Sequence, residues 1–105
     1  MRILFDQGTP VPLRTFLNQH RIETAFERGW SELKNGDLLD RAEADGFDIL
    51  ITTDQNLRYQ QHLPIRKIAL IVLKTTSWPL IKAKADLVED AVTAASEVLY
   101  QEIDF

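Results

Sequence analysis

After a single lysine, the run Lys67-Ile68-Ala69-Leu70-Ile71-Val72-Leu73 places six apolar residues in a row. A strand that alternates apolar with polar side chains needs cover on one face. A strand that is apolar throughout needs cover on both, as in parallel sheets between helical layers. The segment 48–53 has the same character around Ile49, Leu50 and Ile51, and residues 2–5 (Arg-Ile-Leu-Phe) are a shorter version. Ile22, Thr24 and Phe26 alternate, which predicts a half-buried strand over 22–26.

Helical patterns separate these strands. Pro10 and Pro12 suit a loop or first turn, and Leu13, Phe16 and Leu17 follow at helical spacing, predicting a helix over 11–20. Asn35 reads as the N-cap of a second helix with Leu38, Leu39 and Ala42 on its apolar face, and Gly46 stands where a helix C-terminus takes glycine. A short helix or turn is expected over 56–61, before Pro64, and a long amphipathic helix over 79–101. Regular alternation of strand and helix points to an α/β fold of three layers, α/β/α, with a mainly parallel sheet and right-handed crossovers. At 105 residues the chain is one domain, 1–105.

Composition narrows the function classes. The formal net charge of −4 argues against a strongly basic nucleic-acid binder. It argues less against a nuclease, whose own carboxylates lower the count. The absence of cysteine excludes disulfides and thiolate metal sites. No basic leader followed by an apolar run is visible and no stretch is apolar enough to span a bilayer, so no membrane association and a cytoplasmic location are expected.

Two strands end in aspartate: Asp6 follows Phe5, and Asp54 follows Thr52-Thr53. Ligand sites of open α/β sheets lie beyond the carboxyl ends of the strands. A pair of carboxylates delivered there is a donor set for Mg²⁺ or Mn²⁺, which prefer oxygen ligands. An aspartate after a strand also serves as a turn former or helix cap, and both readings stand open. Asp37, near the start of the second helix, either adds a third carboxylate over the strand ends or belongs with Asp40 to a solvated face. Lys34, Arg14, Arg58 and Lys74 either steer phosphate or are surface charge. His20 and His62 lack metal-ligand spacing, no serine sits in a triad pattern, and Trp30 and Trp78 are either packed or contact residues.

Three stretches taken together, Phe5-Asp6-Gln7-Gly8 with Pro10, Lys34-Asn35-Gly36-Asp37-Leu38-Leu39, and 47–57 with its Thr52-Thr53-Asp54-Gln55-Asn56 core, resemble the small bacterial PIN-like proteins, a branch of the PIN-domain superfamily that includes the VapC-type toxins. The resemblance extends over nearly the whole chain. It implies a PIN-like fold and Mg²⁺- or Mn²⁺-dependent phosphodiester cleavage, commonly of RNA. Asp6, Asp54 and Asp37 would then be the metal-binding and catalytic carboxylates, with Thr53 or Asn56 orienting water behind them. Lys34, Arg14 and Arg58 would meet the RNA, and a small antitoxin-like protein or a second copy of the chain would be the partner. The sequence departs from the pattern where acids are common in that branch: Gln7, Asn35 and Asn56 are neutral. An amide keeps an oxygen but loses the charge that drives metal affinity. The alternative is therefore a PIN-like module of weak or no activity that binds a partner protein or nucleic acid.

Overall fold

The computed structural model describes residues 1–33, 35–55 and 67–105. Five strands form one all-parallel sheet: β1 (Arg2–Phe5), β2 (Arg21–Thr24), β3 (Ile49–Thr52), β4 (Ala69–Leu73) and β5 (Tyr100–Ile103), in the order β2-β1-β3-β4-β5. A 3-10 helix (Val11–Leu17) joins β1 to β2, α1 (Asn35–Ala44) lies between β2 and β3, and α2 (Trp78–Ala83) and α3 (Ala85–Ala94) lie between β4 and β5.

The apolar runs of β1, β3 and β4 are buried throughout because each strand serves two cores. Ile3, Phe5, Ile49, Ile51 and Ile71 face one way and pack with Leu13, Leu17, Ile81, Val88 and Val92 of the 3-10 helix, α2 and α3. Leu4, Leu50, Leu70 and Val72 face the other way and pack with Leu38, Leu39 and Ala42 of α1 and with Trp30 and Phe47. This period-two division makes the fold three layers, α/β/α.

The final segment departs from expectation. In place of one helix over 79–101, the chain breaks at Lys84 (φ −127°, ψ 33°) into α2 and α3, and Tyr100–Ile103 becomes a strand. The break keeps Ile81, then Ala85, Val88 and Val92, on the sheet. The outer edge of β4 then takes up β5: Leu70 N–H donates to the Leu99 carbonyl, and Lys74 N–H to that of Ile103. Those β4 groups would otherwise be left without partners.

The first helix is also tighter than expected, since Leu13 N–H donates to the Pro10 carbonyl and the Thr15 hydroxyl to that of Pro12. The 3-10 helix and the α2–α3 pair share one face, yet they carry the chain in opposite directions across the sheet. The two connections therefore differ in hand, and one is the left-handed kind that parallel sheets rarely use. The short helix or turn expected over 56–61 lies outside the described residues, as does His62.

β2 stops at Thr24, short of the expected residue 26, because the chain turns there. Thr24 N–H donates to Glu27 Oε1 (2.9 Å) and Glu27 N–H donates to Thr24 Oγ1 (3.1 Å), a reciprocal capping box. Gly29, with φ +76°, ends the turn: Trp30 N–H donates to the Ala25 carbonyl and Gly29 N–H to that of Phe26. This is a Schellman closure. α1 ends the same way, at Gly46 with φ +85°, with Phe47 N–H on the Ala42 carbonyl and Gly46 N–H on that of Glu43. The residues delivered by the two closures, Trp30 and Phe47, meet edge to face at 6.1 Å. Arg2 stands over Phe47 (4.3 Å) and Arg28 over Trp30 (4.7 Å), and Arg28 also pairs with Glu23 and Asp45.

Candidate functional site

β1 and β3 are neighbours, yet their continuations cross the sheet in opposite directions, β1 to β2 and β3 to β4. Such a switch point opens a crevice at the carboxyl ends of the strands. A cleft of ≈ 220 Å³ lies there, and Asp6 and Asp54 both line it, with Gly8, Trp30, Ser31 and Leu38 among the other walls.

Asp6 is held from three directions. Its Oδ1 accepts from Gly8 N–H (3.1 Å) and from Thr9 Oγ1 (2.8 Å), and its Oδ2 accepts from the Thr52 hydroxyl. Asp6 N–H donates to the Ile51 carbonyl, which ties the start of this loop to β3. Asp6 is therefore both a turn former and a cleft carboxylate, so the two sequence readings do not compete. Burial pushes its carboxyl above the usual 3.8, against the opposing pull of the hydrogen bonds from Thr52, Thr9 and Gly8. A buried carboxylate is stabilised by any cation that shares its cleft.

Thr52, 1% exposed at the end of β3, connects the two aspartates. Its hydroxyl donates to Asp6 Oδ2 and accepts from Asp54 N–H (3.0 Å). The sequence points to Thr53 or Asn56 as the residue behind the carboxylates. Thr53 lies against Gly8 of the Asp6 loop, where an added Cβ would collide with its Oγ1. Thr52 and Thr9 were missed. The readable signals were the Asp-x-x-Thr spacing of 6–9, typical of side-chain-closed turns, and the parity that sets residue 52 on the α1 side with Leu50.

Asp37 is exposed on α1 and lines a separate depression with Asp40 and Arg41. Among the described residues, no three His, Asp or Glu side chains gather closely enough to hold a metal ion. Two carboxylates are nonetheless what Mg²⁺ commonly takes from a protein when water and phosphate fill its other positions. An ionised carboxylate offers about four lone-pair directions. Gly8, Thr9 and Thr52 already donate to those of Asp6, so an ion would share its oxygens with these donors, and Asp6 and Asp54 would be the two carboxylates it takes from this cleft. Arg14 is held by Glu27 in two contacts, 2.7 and 3.2 Å, and these bonds draw the Glu27 carboxyl below its usual range. His20, just after the 3-10 helix, meets Glu89 of α3 at 3.4 Å, a contact within the layer that those helices share. Lys34, Asn56 and Arg58 lie outside the described residues.

Comparison with family models, with curated proteins and with solved structures finds no match to this chain. Among the described residues, no helix is long and apolar enough to cross a membrane.

Proposed function

We propose that this chain is a PIN-like, divalent-metal-dependent endoribonuclease, cytoplasmic, and the toxin of a toxin–antitoxin pair. The observation that carries the reading is the meeting of Asp6 and Asp54 in one cleft at the β1/β3 switch point. Mg²⁺ or Mn²⁺ bound there would supply Lewis-acid stabilisation of charge on the scissile phosphate and a lowered pKa for the attacking water. Asp6 and Asp54 would hold the ion. Thr52 and Thr9 fix the Asp6 oxygens, so the carboxylate needs little rearrangement on binding. Trp30, Leu38 and Ala25 give the cleft an apolar wall that strengthens electrostatic contacts within it.

A second reading is favoured by the placement of Asp37 in its own depression. With two acids in the cleft and neutral residues at Gln7, Asn35 and Asn56, the chain would be a PIN-like module that binds an antitoxin-like protein, nucleic acid or a second copy without turnover.

Calorimetric titration of Mn²⁺ into metal-stripped protein tests the first reading. The wild type should bind saturably and the Asp6→Asn/Asp54→Asn variant should not. Equal titrations in both proteins would remove the metal site and leave the binding module. Where the metal binds, Mn²⁺-dependent cleavage of RNA by the wild type, lost in Asp6→Asn, decides between enzyme and module.

A further inference from the structure

Phe26 is 75% exposed, the most exposed large hydrophobic side chain among the described residues. It does not sit on a loose loop. The Thr24–Glu27 capping box fixes the start of its turn and the Gly29 closure fixes the end, while Arg14 grips Glu27 from the 3-10 helix. Ala25, its neighbour, is buried in the α1-side core. The backbone thus anchors residue 25 inward and holds residue 26 outward, in a conformation set before any ligand arrives. The depression beside Phe26, of about 340 Å³, is also lined by Val11, Arg14, Gln7 and Asp6. Asp6 and Gln7 line both this depression and the carboxylate cleft, so the two hollows adjoin at the Asp6 loop.

We infer that Phe26 is a stacking platform for a base of a single-stranded nucleic acid whose backbone enters the cleft at Asp6 and Asp54. This rests on the nuclease reading and specifies how its substrate is held. What carries the assignment is the continuity of the Phe26 hollow with the carboxylate cleft through Asp6 and Gln7, and charge adds nothing to it. The chain carries −4 overall and the Arg14 guanidinium is already engaged by Glu27, so phosphate attraction is weak here. A strand held at this place draws its affinity from stacking, which every base can supply. It follows that binding is tolerant of sequence, sensitive to loss of the base, and only shallowly dependent on salt.

The test is fluorescence anisotropy of an end-labelled oligoadenylate, and of the same strand with abasic residues, with Ca²⁺ replacing Mg²⁺ to suppress turnover. Wild type, Phe26→Ala and Phe26→Trp are compared. Phe26→Ala should weaken oligoadenylate binding about 5- to 150-fold, and Phe26→Trp should retain it. Removing the bases should cost the wild type a similar factor and leave Phe26→Ala almost unaffected. Equal affinities of wild type and Phe26→Ala, or no binding by the wild type, would overturn the platform. A wild-type dimer that becomes monomeric in Phe26→Ala, with binding unchanged, would overturn it in favour of a second copy covering this face. Failure of the nuclease reading is read separately: stacking that depends on Phe26 without any Mn²⁺-dependent cleavage would keep the platform and remove the enzyme.

Discussion

Replacing Thr52 by valine isolates the hydroxyl between the two aspartates. Valine keeps the shape of threonine but puts a methyl in place of the hydroxyl at this buried site, so the change falls on the hydrogen bonds. Two hydrogen bonds disappear: the one donated to Asp6 Oδ2 and the one accepted from Asp54 N–H. A hydrogen bond to a charged group contributes about 1.5–3 kcal/mol and a neutral one about 0.5–1.5 kcal/mol, so the expected loss at neutral pH is about 2–4 kcal/mol. The loss should depend on pH. The Asp6 carboxyl already titrates above 3.8 because of burial. A carboxyl raised on folding contributes stability below its unfolded pKa, and this contribution fades as pH rises through the folded value. Without the Thr52 donor the ionised form is less well held, the folded pKa moves higher, and stability falls further with rising pH. Urea denaturation of both proteins across the weakly acidic to neutral range should show a gap that widens with pH and then levels off. A gap independent of pH, or one under about 0.5 kcal/mol, would refute the claim that this hydroxyl holds an ionised Asp6.

By the same linkage, the stability of Asp6→Asn relative to the wild type should rise with pH and level off above the raised carboxyl pKa, on top of a pH-independent loss where the amide NH2 meets a donor, as followed by thermal melting. Gly8→Ala should destabilise by about 1–3 kcal/mol, because its Cβ would collide with Thr53 Oγ1. Thr53→Ala should restore most of that loss in the double variant. Additive losses would show that the collision is relieved elsewhere.

How much of this was legible in the sequence followed from where the burial signal is strong. β1, β3 and β4 are buried on both faces, and their apolar runs said so. α1 was marked by its apolar face and by Gly46, whose left-handed φ the closure requires. β5 was hidden because it is an edge strand with one buried residue, Ile103, and the alanines before it read as helix. The turn at 24–29 was hidden by alternation: Ile22, Thr24 and Phe26 look like strand, and the Thr24–Glu27 box that overrides them was present but unread. The Asp6 and Asp54 positions came from strand ends. Their linkage through Thr52 did not, because it depends on the register of β1 against β3, which only the paired strands specify.

The two glycine-ended closures have a practical consequence for spectroscopy. They place Trp30 under the carboxylate cleft on the α1 side, flanked by Phe47 and the Arg28 guanidinium. The other tryptophan, Trp78, opens α2 in the opposite layer, against Phe16 at 5.8 Å. The chain thus carries one tryptophan per helical layer, on opposite sides of the sheet. With excitation selective for tryptophan over the two tyrosines, a Trp78→Phe variant would emit from the cleft wall and a Trp30→Phe variant from the far layer. An emission change on loading confined to the first would report local occupancy, whereas the same change in both would report a rearrangement carried through the sheet.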